Sequence, residues 1–471
     1  MAHIEREIKL RLTQQAFPRL ARLARERRSV ASVYYDTARQ ELRRAGIALR
    51  LRRDGGRWLQ TLKAEGEQHA GLAQRAEWEL PVRRKALEPL AFPREEIRRT
   101  TGIDLERLAP RLAPVFETRF TRHSGLVEVD GKASAELAID RGLIVAGRRR
   151  EPISEVELEL ISGDTGALMR FAEALELPLA YESKAERGYR LAAGRAPAPR
   201  KWRMPALDPA RGPGEAFAAV YAAALMQVGT NAGGMRASRD PEYLHQLRVG
   251  MRRLRSAIQA FAPLLKDDKP LRRTLRRLSP VLGNARDWDV FMAMLESLPM
   301  APAMLRAARS RRSAVRRAAQ EAVGSPDFRA FLFRALRWLE SAPCVDPGIS
   351  LASFAPARLE KTYRKTVRKV DLERPKPRHA LRVRIKRLRY ACEYFAPCFA
   401  PEAVAPWLKE LRGLQDVLGA LNDIVVARSL LEEIDATAPR SLAQREQRLI
   451  RKLRATWERF ARRPPYWRPG G

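Results

Sequence analysis

The 471-residue chain predicts a multidomain α+β protein, an antiparallel β barrel or sandwich followed by an all-α region. Three observations carry this. Up to about residue 190 apolar residues recur with period two, as strands require, whereas beyond about 214 they recur at three and four spacing, as helices do. Between them, 192–213 is rich in proline and glycine, fits neither period and reads as a linker. The length also exceeds what one ordinary hydrophobic core holds.

In order, strands are expected at 3–12, 32–37, 47–53, 58–64, 72–81, 115–123, 126–130, 134–140 and 153–161. Asp54-Gly55-Gly56 and Asp130-Gly131 supply tight turns. Helices are expected over 15–28 and 165–175, covering parts of the sheet. After the linker, helical periodicity runs through 215–228, 241–261, 271–282, 304–323 and 406–421, with a break at 341–356. The expected domains are 1–191 and 214–462, the latter in two parts, about 214–340 and 357–462.

Lys and Arg total 90 against 55 Asp and Glu, a net charge of +35. It is unevenly spread, +9 over residues 1–200 and +26 over 201–471, so a polyanionic partner is expected above all for the second half. Cys344, Cys392 and Cys398 form no CxxC and no metal spacing, which suggests free thiols in a reducing compartment. A charged first ten residues argues against a signal peptide, and no apolar run is long enough to span a bilayer. A soluble, cytoplasmic protein without a membrane partner is expected.

The opening EREIK puts Glu5, Glu7 and Lys9 on one strand face, with Ile4, Ile8, Leu10 and Leu12 on the other. Arg50 and Arg52 share a face of their strand, as do Arg75, Glu77 and Glu79, and Glu155, Glu157 and Glu159; Lys63 ends another strand. If the apolar faces turn inward this is a sandwich with a solvated charged surface. If they turn outward under helices, the charges line a closed lumen, which requires a guest of complementary charge. Paired carboxylates suit a hard cation such as Mg²⁺ or Mn²⁺, and Arg and Lys suit phosphate oxygens. Together they fit a metal-assisted triphosphate site.

These residues resemble the signature of the CYTH family, the triphosphate tunnel metalloenzymes. EREIK is joined in family order by YYDT (34–37), ALRLR (48–52), TLK (61–63), RAEWEL (75–80), ELAID (136–140), EVELEL (155–160) and SKAERGY (183–189). The resemblance implies an eight-stranded antiparallel tunnel. It implies Glu5, Glu7, Glu157 and Glu159 as ligands of Mg²⁺ or Mn²⁺, and Glu5, Glu7, Lys9 and Lys63 as the catalytic set. Arg50, Arg52, Arg75, Arg119 and Lys184 become substrate contacts. Members include inorganic triphosphatases, organic triphosphatases and adenylyl cyclases; with no base-recognition signature in view, inorganic triphosphate is the expected substrate.

In the helical half, HQLRVGMRRLR (245–255) returns as HALRVRIKRLR (379–389), with seven of eleven positions identical, and LGNARDWDV (282–290) as LGALNDIVV (418–426). An internal duplication follows. At about 100° per residue, His245, Arg248, Arg252 and Arg255 share a helix face, as do His379, Arg382, Lys386 and Arg389. Further basic stripes fall at Arg309, Arg312 and Arg316, and at Lys361, Arg364, Lys365 and Arg368. Like charges at these spacings repel, so an anion is expected to supply the missing charge; a metal on the histidines would be repelled by the same arginines. These motifs, with LQDVLGALND (414–423), resemble the CHAD domain. That resemblance implies two pseudo-symmetric four-helix bundles and a basic groove for inorganic polyphosphate. The expected contacts are His245, Arg248, Arg252, Arg255, Arg364, Arg368, His379, Arg382, Lys386 and Arg389.

The expected function is a metal-dependent inorganic triphosphatase fused to a polyphosphate-binding module, associated with polyphosphate granules. A non-catalytic granule scaffold, a cyclase or organic triphosphatase, and nonspecific nucleic-acid binding through phosphate contacts alone are the alternatives.

Overall fold

A computed structural model gives the architecture. It describes residues 3–64, 68–69, 72–266, 269–297, 301–341, 344–345 and 347–468, and only the backbone of 3–4, 68–69 and 72–75. The chain divides into two compact units, Met1–Pro199 with Arg329–Ser341, and Arg200–Phe328 with Ala342–Gly471.

In the first unit the strands are β1 (His3–Arg11), β2 (Glu26–Asp36), β3 (Ile47–Asp54), β4 (Arg57–Ala64), β5 (Gln68–His69), β6 (Leu72–Val82), β7 (Ala113–Val129), β8 (Ala133–Ala146) and β9 (Arg149–Gly163). The sheet order is β1-β9-β8-β7-β2-β3-β4-β6-β5, all antiparallel where pairs are defined. β1 also pairs with β6, Glu5 opposite Arg75, while Glu7 lies opposite Glu159 of β9. Eight long strands therefore close into a ring, and β5 is an appendage.

The apolar faces turn outward. Ile47, Leu49, Leu62 and Trp78 pack beneath helices α3 (Arg94–Thr101) and α4 (Leu105–Leu108), which contribute Ile97, Leu105 and Leu108. Helix α5 (Thr165–Ala174) contacts β1, β7, β8 and β9, and α6 (Lys184–Ala192) contacts β7, β8 and β9, seating Tyr189 against Phe116, Ile144 and Ile153. Each such side chain buried contributes about 1.5–3 kcal/mol. Asp164 caps α5 and Ser183 with Glu186 forms a capping box on α6. Helices on the outside leave the charged faces pointing inward, so the closed-lumen alternative holds and the sandwich does not.

Two expectations are corrected here. Residues 15–28 are not one helix: α1 spans only Phe17–Ala21, and β2 already begins at Glu26. Pairing of β2 with β7 from Glu26 opposite Ser124 onward overrides the local helical pattern. The expected break at 124–125 is absent because β7 runs straight through it; Gly125 is there since a Cβ would come 2.3 Å from the Leu23 carbonyl oxygen. At the β7–β8 turn, Lys132 N–H donates to the Val129 carbonyl oxygen at 2.9 Å, and the two central residues, Asp130 and Gly131, both have positive φ, 51° and 61°, as a type I′ turn requires. Helix α2 (Glu41–Arg44) completes the unit's helical elements before α7, together with short 3₁₀ turns.

The second region contains α7 (Pro213–Ala237), α8 (Pro241–Ala260), α9 (Lys269–Leu295), α10 (Pro302–Gly324), α11 (Pro326–Glu340), α12 (Leu351–Thr366), α13 (Pro375–Phe395), α14 (Pro401–Glu432) and α15 (Arg440–Arg462). Helices α7 to α10 pack in sequence around one core and α12 to α15 around another; the duplicated helices meet, α8 on α13 and α9 on α14. Two pseudo-symmetric four-helix bundles result. Residues Arg329–Ser341 of and after α11 group instead with the first unit, where Arg337 pairs with Glu173 of α5. The end of the proline-rich stretch is fastened to α7: the Arg200 backbone donates to and accepts from the buried Asn231 amide, at 3.0 and 2.9 Å. No helix among the described residues is long and apolar enough to cross a membrane.

Candidate functional site

Inside the β ring lies a cavity of about 690 Å³, lined among others by Glu5, Glu7, Lys9, Arg28, Arg50, Arg52, Lys63, Glu77, Glu79, Arg122, Glu136, Glu157, Glu159 and Lys184. Period two explains the convergence, because every second residue of a closed, outward-packed sheet reaches the lumen. Lys63 bridges Glu5 at 2.6 Å and Glu77 at 3.1 Å; Lys9 bridges Glu157 at 2.6 Å and Glu7 at 3.1 Å. Arg52 pairs with Glu79 at 2.9 Å, and Arg50 stands 4.0 Å from Glu77. The Nε atoms of Arg50 and Arg52 are buried without a hydrogen-bond partner among the described residues, leaving donors for an anion in the lumen.

The carboxylates sort into two environments. Asp140, Glu155 and Glu157 bring one oxygen each within 4.8 Å of one another, but the Lys184 amine sits among them, 2.7 Å from Asp140, 2.9 Å from Glu157 and in contact with Glu155. Arg122 adds 2.7 Å to Asp140 and 2.6 Å to Glu157. Burial works against these charges, yet the cations win: Glu157 is held well below the usual carboxylate range by Lys184, Lys9 and Arg122. This cluster is an internally neutralised brace. Lys184, expected as a phosphate contact, lines the cavity but is committed to three carboxylates, and Glu157, expected as a metal ligand, is taken up by three cations.

Glu159 is the opposite case. It forms no ion pair among the described residues, and burial, with Glu5 and Glu7 beside it and only Lys63 opposing, pushes its carboxyl up to about 7. An excess of negative charge on the Glu5, Glu7 and Glu159 side of the lumen fits a divalent cation, which these three carboxylates would hold.

Arg119 is corrected: its side chain is 68% exposed and pairs with Glu117 outside the ring. Three residues on, the phase is reversed and Arg122 takes the inward position that the sequence reading assigned to Arg119. Arg28 and Arg122 were missed; the phase set by buried Thr118 and Phe120 singles out Arg122. The backbone of Arg75 lies in β6, and its side chain is outside the described residues.

Replacing Lys184 by Met is expected to destabilise the protein by about 3 kcal/mol, because it removes the one cation shared by Asp140, Glu155 and Glu157 and leaves their buried charge only partly balanced by Arg122, Lys9 and Arg187. Chemical denaturation of wild type and variant measures this; an unchanged midpoint would mean the brace contributes nothing.

In the helical unit a second cavity, about 400 Å³, is lined by His245, Arg248, Arg252, Arg286, Arg382, Lys386 and Arg445, with Asp287, Asp416 and Asp423. Here cations crowd with few acids. Burial, then Arg252 and Arg382, push the Lys386 amine down to about 6, and burial with the same Arg252 brings Arg248 to about 10 against the pull of Asp287. Asp287 and Asp423 are both raised, by burial first.

The remaining expected contacts are placed elsewhere. His379 is exposed, its Nδ1 3.0 Å from the Asn422 side-chain oxygen. Arg389 is engaged by Glu393 and by Gln415 at 2.8 Å. Arg364 pairs with Glu360 at 2.7 Å on the surface, and Arg368 is exposed. Arg255 is half-buried beside the cavity residues without lining it. The stripe at Arg312 and Arg316 serves Asp289, at 2.7 and 3.8 Å. Arg286 and Arg445 were missed; Arg286 precedes Asp287 inside the second duplicated motif, while α15 carries no repeat to flag Arg445.

Comparison with known proteins fits both geometries. Residues 3–189 match the CYTH domain family and residues 219–432 the CHAD domain family. The chain is a CYTH domain followed by a CHAD domain. Over 171 residues the CYTH part is 34% identical to the inorganic triphosphatase of Haemophilus influenzae, covering 34% of this chain and 46% of that protein; the chain thus spans about half the length of this relative. The crystal structure of a CHAD domain from the plant Ricinus communis is 30% identical, covers 55% of this chain and 96% of that one, and has a TM-score of 0.48. A Hippeastrum protein described by a dominant triphosphatase activity is 18% identical, covers 41% of this chain and 97% of that one, TM-score 0.31.

Proposed function

We propose that the CYTH domain hydrolyses inorganic triphosphate with a divalent metal, Mg²⁺ or Mn²⁺, and that the CHAD domain binds inorganic polyphosphate. The observation that carries the reading is the lumen itself, a cavity ringed by strands with Glu5, Glu7 and a proton-prone Glu159 on one side and Arg28, Arg50 and Arg52 reaching into it. The likeness to an inorganic triphosphatase supports the choice of substrate. Bound metal would supply charge neutralisation at the phosphate and polarise a phosphoryl oxygen. The chain's own residues do the rest: Arg50 and Arg52 orient the phosphates with their unused donors, Lys9 and Lys63 hold the carboxylates in register, and the barrel wall excludes bulk water.

A panel of triphosphate, ATP, thiamine triphosphate and long polyphosphate, each with Mg²⁺ or Mn²⁺, tests this. Phosphate release fastest from triphosphate is expected. Cyclic AMP from ATP would replace the reading with a cyclase, and no release above a Glu5→Gln, Glu7→Gln control would reduce the protein to a scaffold.

Polyphosphate binding should also depend on pH. Lys386 is largely neutral at pH 7, and a bound anion raises its pKa, as it raises those of His245, Asp287 and Asp423. Binding therefore takes up protons and weakens as pH rises above about 6. Titration calorimetry in buffers of different ionisation enthalpy reads the uptake, which Lys386→Gln should reduce; identical apparent enthalpies in every buffer would contradict it.

A further inference from the structure

The α8–α13 duplication extends past its motif to Phe261-Ala262-Pro263 and Phe395-Ala396-Pro397, so the offset of 134 pairs Arg253 with Arg387 and Gln259 with Glu393. At this point the two copies part ways. In the first, Arg253 is buried, pairs with Glu393 of the other repeat at 2.9 Å and is covered by the Trp202 ring, 4.2 Å from its guanidinium carbon. That copy is filled and neutralised. In the second, Gln259 stands where the carboxylate would be and, among the described residues, no tryptophan covers Arg387. What remains is an open groove of about 330 Å³.

Lys361 and Lys365 of α12 and Arg384 and Arg387 of α13 line this groove, and no carboxylate among the described residues does. None of the four makes an ion pair among the described residues. Arg384 donates to the Lys365 carbonyl oxygen at 3.2 Å, and its Nε is buried without a partner. Arg358, also in the wall, is already used: it donates to the carbonyls of Ala260 and Gln259 at 2.8 and 3.0 Å, closing the end of α8. Four cations held together without a counter-charge repel one another, and an anion removes that repulsion.

The 400 Å³ cavity and this groove are the first and second cavities of the helical unit, and they adjoin on the same two helices. Arg252 of α8 lines the first cavity and Ser256 the groove, about 6 Å apart along the helix axis. Lys386 and Arg387 are sequence neighbours divided between them. Arg255, half-buried on α8 between Arg252 and Ser256, continues the positive track.

We propose that this groove is a second phosphate seat, which a polyphosphate chain too long for the first cavity enters past Arg255. The proposal rests on polyphosphate binding by the first cavity and adds a preference for chain length. Its chemistry is that of successive phosphates contacted by charge alone, with no aromatic face lining the groove for a base to stack on.

The test uses the full chain and compares three proteins: wild type, a groove variant with Lys361, Lys365, Arg384 and Arg387 replaced by Gln, and a charge-matched control with the exposed Arg273, Arg276, Arg448 and Arg451 replaced by Gln. Affinity for long-chain polyphosphate should fall about tenfold further in the groove variant than in the control, with the salt slope reduced by about three, while tripolyphosphate binding stays unchanged. A single change, Gln259→Glu, restores the acid found in the other repeat and should weaken only long-chain binding. Equal behaviour of groove variant and control overturns the second seat and leaves the first reading standing; no polyphosphate binding by wild type sinks both. Stronger groove dependence for single-stranded RNA than for polyphosphate would reassign the ligand.

Discussion

Replacing Glu5 and Glu7 together by Gln is expected to lower triphosphate turnover by about a hundredfold or more while leaving the protein folded. The argument is electrostatic. Both carboxylates are buried, 4% and 3% exposed, on the side of the lumen where Glu159 is already pushed up to about 7. Without them the local negative charge that fits a divalent cation is gone, and Glu159 loses the two neighbours that help raise it. Folding survives because the cations keep partners: Lys63 retains Glu77 at 3.1 Å and Lys9 retains Glu157 at 2.6 Å. The measurement is phosphate release with saturating metal, alongside thermal melting and metal binding by calorimetry. Wild-type turnover in the variant would remove these residues from the chemistry.

Replacing Arg248, Arg252, Arg382 and Lys386 by Gln should weaken polyphosphate binding by about a hundredfold or more and raise, not lower, the stability of the helical unit. Wild type holds these groups half-buried and mutually repelling. Lys386, at about 6 when folded, returns to the ordinary amine range on unfolding and so binds a proton in that state. Wild-type stability therefore rises with pH between about 6 and 10.5 on account of this residue, and the variant should lack that contribution. Melting curves across this window with binding isotherms at fixed salt provide the check. A variant that melts lower than wild type would show the stripe to be a structural element.

Much of this architecture was legible because two constraints write themselves into a chain. Period two with charge confined to one phase marked the strands of the ring, and a repeated helix marked the duplication. What the pattern left open was which phase faces inside. That depends on cover supplied by Ile97, Leu105 and Leu108, residues in a stretch whose short helices gave no strong period. The same gap explains Arg119: one strand offered two arginines of opposite phase, and only the packing of Thr118 and Phe120 chooses between them. In the helical unit, identical motifs suggested identical roles. Yet His245 lines a cavity while His379 is exposed beside Asn422, because symmetry of sequence does not extend to the surrounding helices.

The wall that carries Glu5 and Glu7 is a single strand stitched on both sides, to β6 and to β9. Its partner Glu159 is translated more than 150 residues later, so a chain emerging from the ribosome holds half of the acidic site long before the other half exists. Closure is a long-range event of the kind that slows folding. Until it happens, Glu5 and Glu7 lack the neighbour opposite them, and a fragment ending before β9 should be silent toward triphosphate however well its other strands have paired.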